Sequence, residues 1–243
     1  MRLLGDLTTD EVRALVGKPP TAVLVPVGSV EPHGPHLPLS TDTLISQTAA
    51  ERACDALGAR GVEAVVAPAV PYGVTDFAEG FVGAVSVPAD VLTALLRAIA
   101  TRLLADGWTH VCFVSNHLEP AHDAAVRAAA ESLRASVASP LARRWARTLT
   151  DEFKRGDCHA GRYETSLVLA AGGRVNDEHR VLPALGVSLS DAIRDGKNRF
   201  RQMGMDRAYT GSPAEATLEE GEASYGKLVE MIVAEVVEGI ARP

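Results

Sequence analysis

The chain has little cysteine, few aromatics and no long uninterrupted apolar run. Its three cysteines in 243 residues, Cys54, Cys112 and Cys158, are too few and too scattered for a disulfide framework. No C-x-x-C pair occurs, which excludes the usual redox and structural zinc motifs. With aromatics at 5%, a surface that binds single strands by stacking bases is excluded. Basic residues are also scarce: 24 Lys and Arg face 31 Asp and Glu, a net charge of −7. Because lysine and arginine supply most of the affinity for phosphate backbones, neither nucleic acid nor an anionic membrane is an expected partner. The N-terminus lacks a basic stretch followed by an apolar core, and the helical candidate at 88–105 is broken by Asp90, Arg97 and Arg102. Neither export nor membrane insertion is signalled, and a reducing cytoplasm is expected. No repeat, low-complexity tract or long linker divides the chain. Residues 1–243 therefore read as a single domain, long enough to bury roughly 70% of its unfolded surface.

What is present is an alternation of buried strands and helices. Residues 21–27 (TAVLVPV), 63–70 (EAVVAPAV) and 110–114 (HVCFV) are short continuous apolar runs, as expected of strands covered on both faces. Helical spacing follows at 42–58, 88–106 and 121–135, and again at 224–240 through Leu228, Met231, Ile232 and Val236. Strand, helix, strand, helix predicts a layered α/β/α fold with a mostly parallel sheet and helices on both faces.

The densest chemistry comes after the first strand, in PVGSVEPHGPHLPLSTD at 26–42. Glu31 and His33 are two residues apart, so an extended backbone points both to the same side. Pro32, Pro35 and Pro38 stiffen this loop, and Asp42 falls at the start of the next helix, where the helix dipole favours a carboxylate. After the third strand, His117 and Glu119 repeat the same spacing. Both pairs lie past the carboxyl end of a strand, where open α/β sheets place their sites. Glu31, Asp42 and Glu119 supply −3, and a hydroxide makes −4, which two divalent cations balance. Mixed carboxylate and imidazole donors suit zinc or manganese. A third patch, DCHAGRYETS at 157–166, adds His159, the candidate acid or base, and Glu164 in a turn leading into a helix.

The other polar residues carry less. His36 is expected to support the ligands from behind, His122 to cap or decorate its helix, and His110 and His179 to be structural or exposed. Cys112 lies in an apolar strand. Cys158 has no cation besides His159 to favour a thiolate, so no cysteine nucleophile is expected. Ser29 and Ser40 lack the strand-to-helix elbow of a serine hydrolase.

With these stretches, together with PYGV at 71–74, NHLE at 116–119, HAGRYETS at 159–166 and GSPAEAT at 211–217, the sequence resembles the creatininase family over nearly its whole length. The resemblance implies a creatininase-like fold and a binuclear metal hydrolase of a non-peptide or small-peptide amide, with two divalent ions, zinc or manganese or both. It implies a homo-oligomer, usually a homohexamer. Carried over by motif, Glu31, Asp42 and His117 would hold one ion, and His33, Asp42 and Glu119 the other, with Asp42 bridging. His159 would contact the substrate and protonate the leaving nitrogen. Glu164 would support the ligands, or replace the Glu119 type as a ligand, as in some members. Asn116 directly precedes His117 where many members carry NGHGGN, and no tryptophans suited to creatinine are evident. The expected activity is therefore hydrolysis of a small cyclic amide, formamide or related C–N compound other than creatinine. The rivals are a metal-dependent phosphoesterase and a non-catalytic metal-binding member.

Overall fold

A computed structural model describes residues 2–18 and 20–242. Its centre is a four-stranded, all-parallel sheet in the order β2-β1-β3-β4, formed by β1 (Thr21–Val27), β2 (Glu63–Val66), β3 (His110–Ser115) and β4 (Ala135–Ala138). All seven residues of β1 are buried, as its unbroken apolar run requires. Successive side chains divide between the two faces: Ala22 and Leu24 enter one apolar cluster, Val23, Val25 and Val27 the other.

Helices cover both faces. Against the first cluster pack α2 (Thr41–Gly58), α7 (Arg162–Ala170) and α9 (Leu218–Ala241). Against the second pack α1 (Thr9–Val16), α3 (Ala89–Ala105) and α4 (Pro120–Ala130). From β1 the chain steps one way to β2, then back past β1 to β3. Connections of one handedness must then put α2 and α3 on opposite faces. The gap between β1 and β3 is thus the switch point of the sheet, and the loops leaving both strands open there. Shorter helices α5 (Arg143–Ala146), α6 (Asp151–Arg155) and α8 (Leu189–Arg194) lie in the connections. Phe200, Met203 and Met205 join Leu189, Ala192 and Ala78 in a third, smaller apolar cluster. Among the described residues, no helix is long and apolar enough to cross a membrane.

The structure corrects three element boundaries. The β2 ladder ends at Val66 rather than residue 70, because Pro68 has no N–H to donate; Val70 keeps only an isolated bridge to Val27. The alanine-rich helix α4 stops at Ala130 instead of running to 135, and Ser132 turns the chain with φ of 63°. Past that turn the chain enters β4, a strand too short and too alanine-rich to stand out from the preceding helix. At the other end α9 starts at Leu218, six positions before the expected 224, because the Thr217 side chain accepts from the Glu220 N–H and caps it.

Candidate metal centre

Loop 28–40 leaves β1 and is tied down at both ends, with Gly28 N–H donating to the Val70 carbonyl and Glu31 N–H to Leu39. This holds Glu31 and His33 above the sheet, and Asp42 reaches them as the second residue of α2. The extended segment after β3 brings in His117 and Glu119, while α7 presents Glu164 from its first turn. All of these side chains, with His159, are buried.

The ring orientations are informative. A carbonyl can only accept, so His33 must donate Nδ1–H to Glu31 O at 3.1 Å, and His117 must donate Nε2–H to Val74 O at 2.7 Å. Each ring therefore turns its other nitrogen to the carboxylates, a lone pair once the ring is neutral. His33 Nε2 lies 3.1 Å from Asp42 Oδ1, 3.6 Å from Glu164 Oε2 and 3.7 Å from Glu31 Oε1. His117 Nδ1 lies 3.2 Å from Glu31 Oε1 and 3.1 Å from Asp42 Oδ2, yet it is buried without a hydrogen bond of acceptable geometry. Imidazoles anchored through one nitrogen to a carbonyl, with the other facing carboxylates, are oriented as metal ligands are. The ligand atoms of Glu31, Asp42 and His117 lie within 4.8 Å of one another, as do those of His33, Asp42 and Glu164, so Asp42 is common to both sets. A third set joins Glu31, His33 and His159. Three buried carboxylates and two lone-pair imidazoles fit a pair of divalent cations in number, charge and donor type.

The electrostatics favour positive charge here. Burial would lower the His33 pKa, but Asp42, with Glu164 and Glu31, outweighs it and pushes it up to about 10. The same contest, against Glu31 and Asp42, raises His117 well above its usual value. Asp42 is held well below the carboxylate range despite burial, by His33 and His117, and Glu31 is lowered chiefly by His117. Burial pushes Glu164 up to about 8 and Glu119 to about 7. His159 goes the other way, to about 4, through burial and the neighbouring His33. It donates Nε2–H to Pro32 O at 3.1 Å, leaving Nδ1 as an acceptor 3.8 Å from Glu31 Oε1.

The structure thus brings Glu31, His33, Asp42, His117, His159 and Glu164 together. Glu119 belongs to none of the three sets; its carboxylate accepts from the backbone N–H groups of Asp76 (3.2 Å) and Phe77 (3.1 Å). It does reach the cavity beside the cluster, a space of about 20 Å³ lined by Glu31, His117, Glu119 and His159 on one side. Phe77, Leu189, Ile193 and Phe200 line the rest, together with Leu118. Phe200 stacks on His159 at 4.4 Å and 29°.

Several supporting residues have no sequence signal. Ser29 Oγ donates to Asp42 Oδ2 at 2.7 Å, and Thr75 Oγ1 donates to Glu31 Oε2. Glu152 of α6 is buried and accepts from Tyr163 N (2.9 Å) and Ser212 N (2.8 Å). It thereby serves the N-terminus of α7, whose own N-cap is Gly161 and has no side chain to offer. A Cβ on Gly161 or Gly211 would stand 2.5 Å from a Glu152 carboxylate oxygen, so both positions need glycine. His36 Nε2 meets Thr165 Oγ1 at 2.9 Å and ties the β1 loop to α7. His122 does not decorate its helix: it is fully buried, with no hydrogen bond, edge-on to His117 at 4.7 Å. His110 is likewise inside, 2.8 Å from Ser136 Oγ, and Cys158 is buried with its thiol pushed well up, far from a thiolate.

The chain is similar to known proteins in sequence and in fold. The creatininase family model, described as creatinine amidohydrolase, matches residues 5–238. A protein of Mycolicibacterium smegmatis named mycofactocin precursor peptide peptidase is 33% identical over 235 residues, which cover 93% of this chain and 87% of that protein. Among solved structures, a creatininase described as the Mn form superposes with a TM-score of 0.78 at 21% identity over 99% of both chains. A mutant creatininase of Zn-Zn type gives 0.79 at 20%, over 99% of this chain and 98% of that one. These structures share the fold.

Proposed function

Since the chain belongs to the creatininase family, a family of amide-bond hydrolases, we propose that it is a binuclear enzyme cleaving the amide C–N bond of a small molecule, short peptides included. The observation that carries this reading is the buried cluster in which His33 and His117 are each pinned through one nitrogen and offer the other to shared carboxylates. Glu31, Asp42 and His117 would hold one divalent cation and His33, Asp42 and Glu164 the other, with zinc and manganese the suited ions. Such cations, when bound, supply Lewis acidity that polarises an amide carbonyl and eases deprotonation of water.

The chain's own groups manage the proton. A cavity of about 20 Å³ has room for a water molecule, and Glu119 and His159 both line it. Glu119, held near neutrality, takes the proton from the attacking water at its carboxylate. His159 Nδ1 relays it to the departing nitrogen; an imidazole that ionises only near 4 is a strong acid once protonated and gives the proton up readily. The Pro32 carbonyl and the Phe200 ring keep Nδ1 aimed. Among the described residues lining this cavity there is no lysine or arginine, which disfavours a phosphoester. Substitution Glu119→Gln tests the scheme: turnover on amides is expected to fall about 10²- to 10⁴-fold with metal content retained. Unchanged turnover at full metal content would refute the role of Glu119.

A further inference from the structure

The cavity at the cluster cannot house what flanks a substrate amide, since about 20 Å³ accepts little more than water. Directly beside it lies a groove of about 350 Å³, in the range of ligand sites. The two share Leu118, Leu189 and Ile193 as walls. The continuity is built into the backbone. In the segment after β3, His117 and Glu119 face the cavity while Pro120 faces the groove and Leu118 borders both. One step along the chain, His159 faces the cavity and Cys158 the groove. Leu141 and Phe153 complete the apolar wall. The only charged side chain among the described lining residues is Lys154, engaged with Asp151 at 3.2 Å. No carboxylate lines the groove, so an apolar group enters without stranding a buried charge.

Resting on the amide-hydrolase reading above, we propose that this groove is a side-chain subsite, and that the substrate is peptide-like, with a bulky apolar side chain next to the scissile amide. Elements that position the chemistry also form the groove, so a side chain seated there fixes the adjacent amide over the cluster. A small polar ring would leave the groove unfilled and gain nothing from it.

The test uses the metal-loaded enzyme, an acetylated tetraglycine amide, and the same peptide with Leu or Phe at one position at a time. kcat/KM is measured for each. Binding of uncleavable ketomethylene isosteres is measured by calorimetry. At one position the apolar residue is expected to raise both kcat/KM and affinity about tenfold or more over glycine. In Leu141→Asp, which puts charge in the groove, and Ser190→Trp, which fills it, that ratio is expected to fall towards one. Two variants of opposite chemistry, each checked for an unchanged thermal midpoint, guard against a folding defect. A ratio near one in the wild type, or one retained in both variants, overturns the subsite. Isostere preference without hydrolysis of any peptide keeps the subsite and removes the amide-hydrolase reading; hydrolysis without preference does the reverse. A changed assembly size in Leu141→Asp, by light scattering, with the preference intact, would assign the groove to a second copy of the chain and overturn the proposal.

Discussion

Stripping the metals should make stability depend on pH in a window where the loaded protein does not. In the metal-free protein His33 carries a proton held by Asp42, Glu164 and Glu31, with a pKa of about 10 against 6.5 when unfolded. A raised folded-state pKa means stability that is complete below 6.5 and lost as pH rises through about 10. Between pH 7 and 8.5 the expected loss from His33 alone is about 2 kcal/mol. Glu164, raised to about 8, adds to it with the same sign. For a chain of this size that corresponds to roughly 4–8 °C in thermal midpoint. A bound cation replaces the proton, so the loaded protein should not show the loss. The histidines with lowered values, His36 and His110 at about 4 and His122 at about 3, titrate below the window. The buried cysteines, raised in both forms, cancel in the comparison. Thermal denaturation followed by circular dichroism, with chelated and metal-reloaded protein side by side, gives the difference. If the two midpoints move in parallel from pH 7 to 8.5, His33 does not exchange a proton for a metal and the ligand scheme is wrong.

Other consequences are sharper in sign than in size. Asp42→Asn removes the carboxylate that lies 3.1 Å from both His33 and His117 and belongs to both proposed ligand sets, so both cations should be lost by elemental analysis, and the metal-free protein should lose about 3–5 kcal/mol. A variant retaining both ions would show that Asp42 does not bridge. Glu152→Ala leaves two N–H groups unpaired, that of Tyr163 in the first turn of α7 and that of Ser212 in a separate loop, at a cost of about 1–3 kcal/mol each. Because α7 carries Glu164, metal affinity should fall with stability; an unchanged metal titration would separate Glu152 from the site.

The strongest local signals proved to be those with a short-range cause. The β1 run TAVLVPV is apolar at every position but the first, and such a segment has no stable place except the middle of a sheet covered on both sides. Where neighbouring residues compete over short lengths, local pattern misleads: the four residues of β4 are distinguished from the tail of α4 by pairing with β3, which no nearby residue announces. In the same way His122, expected from the sequence to cap or decorate its helix, is enclosed because α4 lays it against His117.

The sequence by itself determined the parallel α/β layering, the two loops that carry acid and imidazole at two-residue spacing, and the family. Only the tertiary structure decided which carboxylate stands with His33, placing Glu164 there and setting Glu119 on the backbone amides of Asp76 and Phe77. It also decided that Phe200 would stack on His159 and that Glu152 would serve α7. The reason is physical: periodicity and backbone sterics act over a few residues, whereas partners roughly 40 to 130 positions apart meet only where strand order and helix packing bring them.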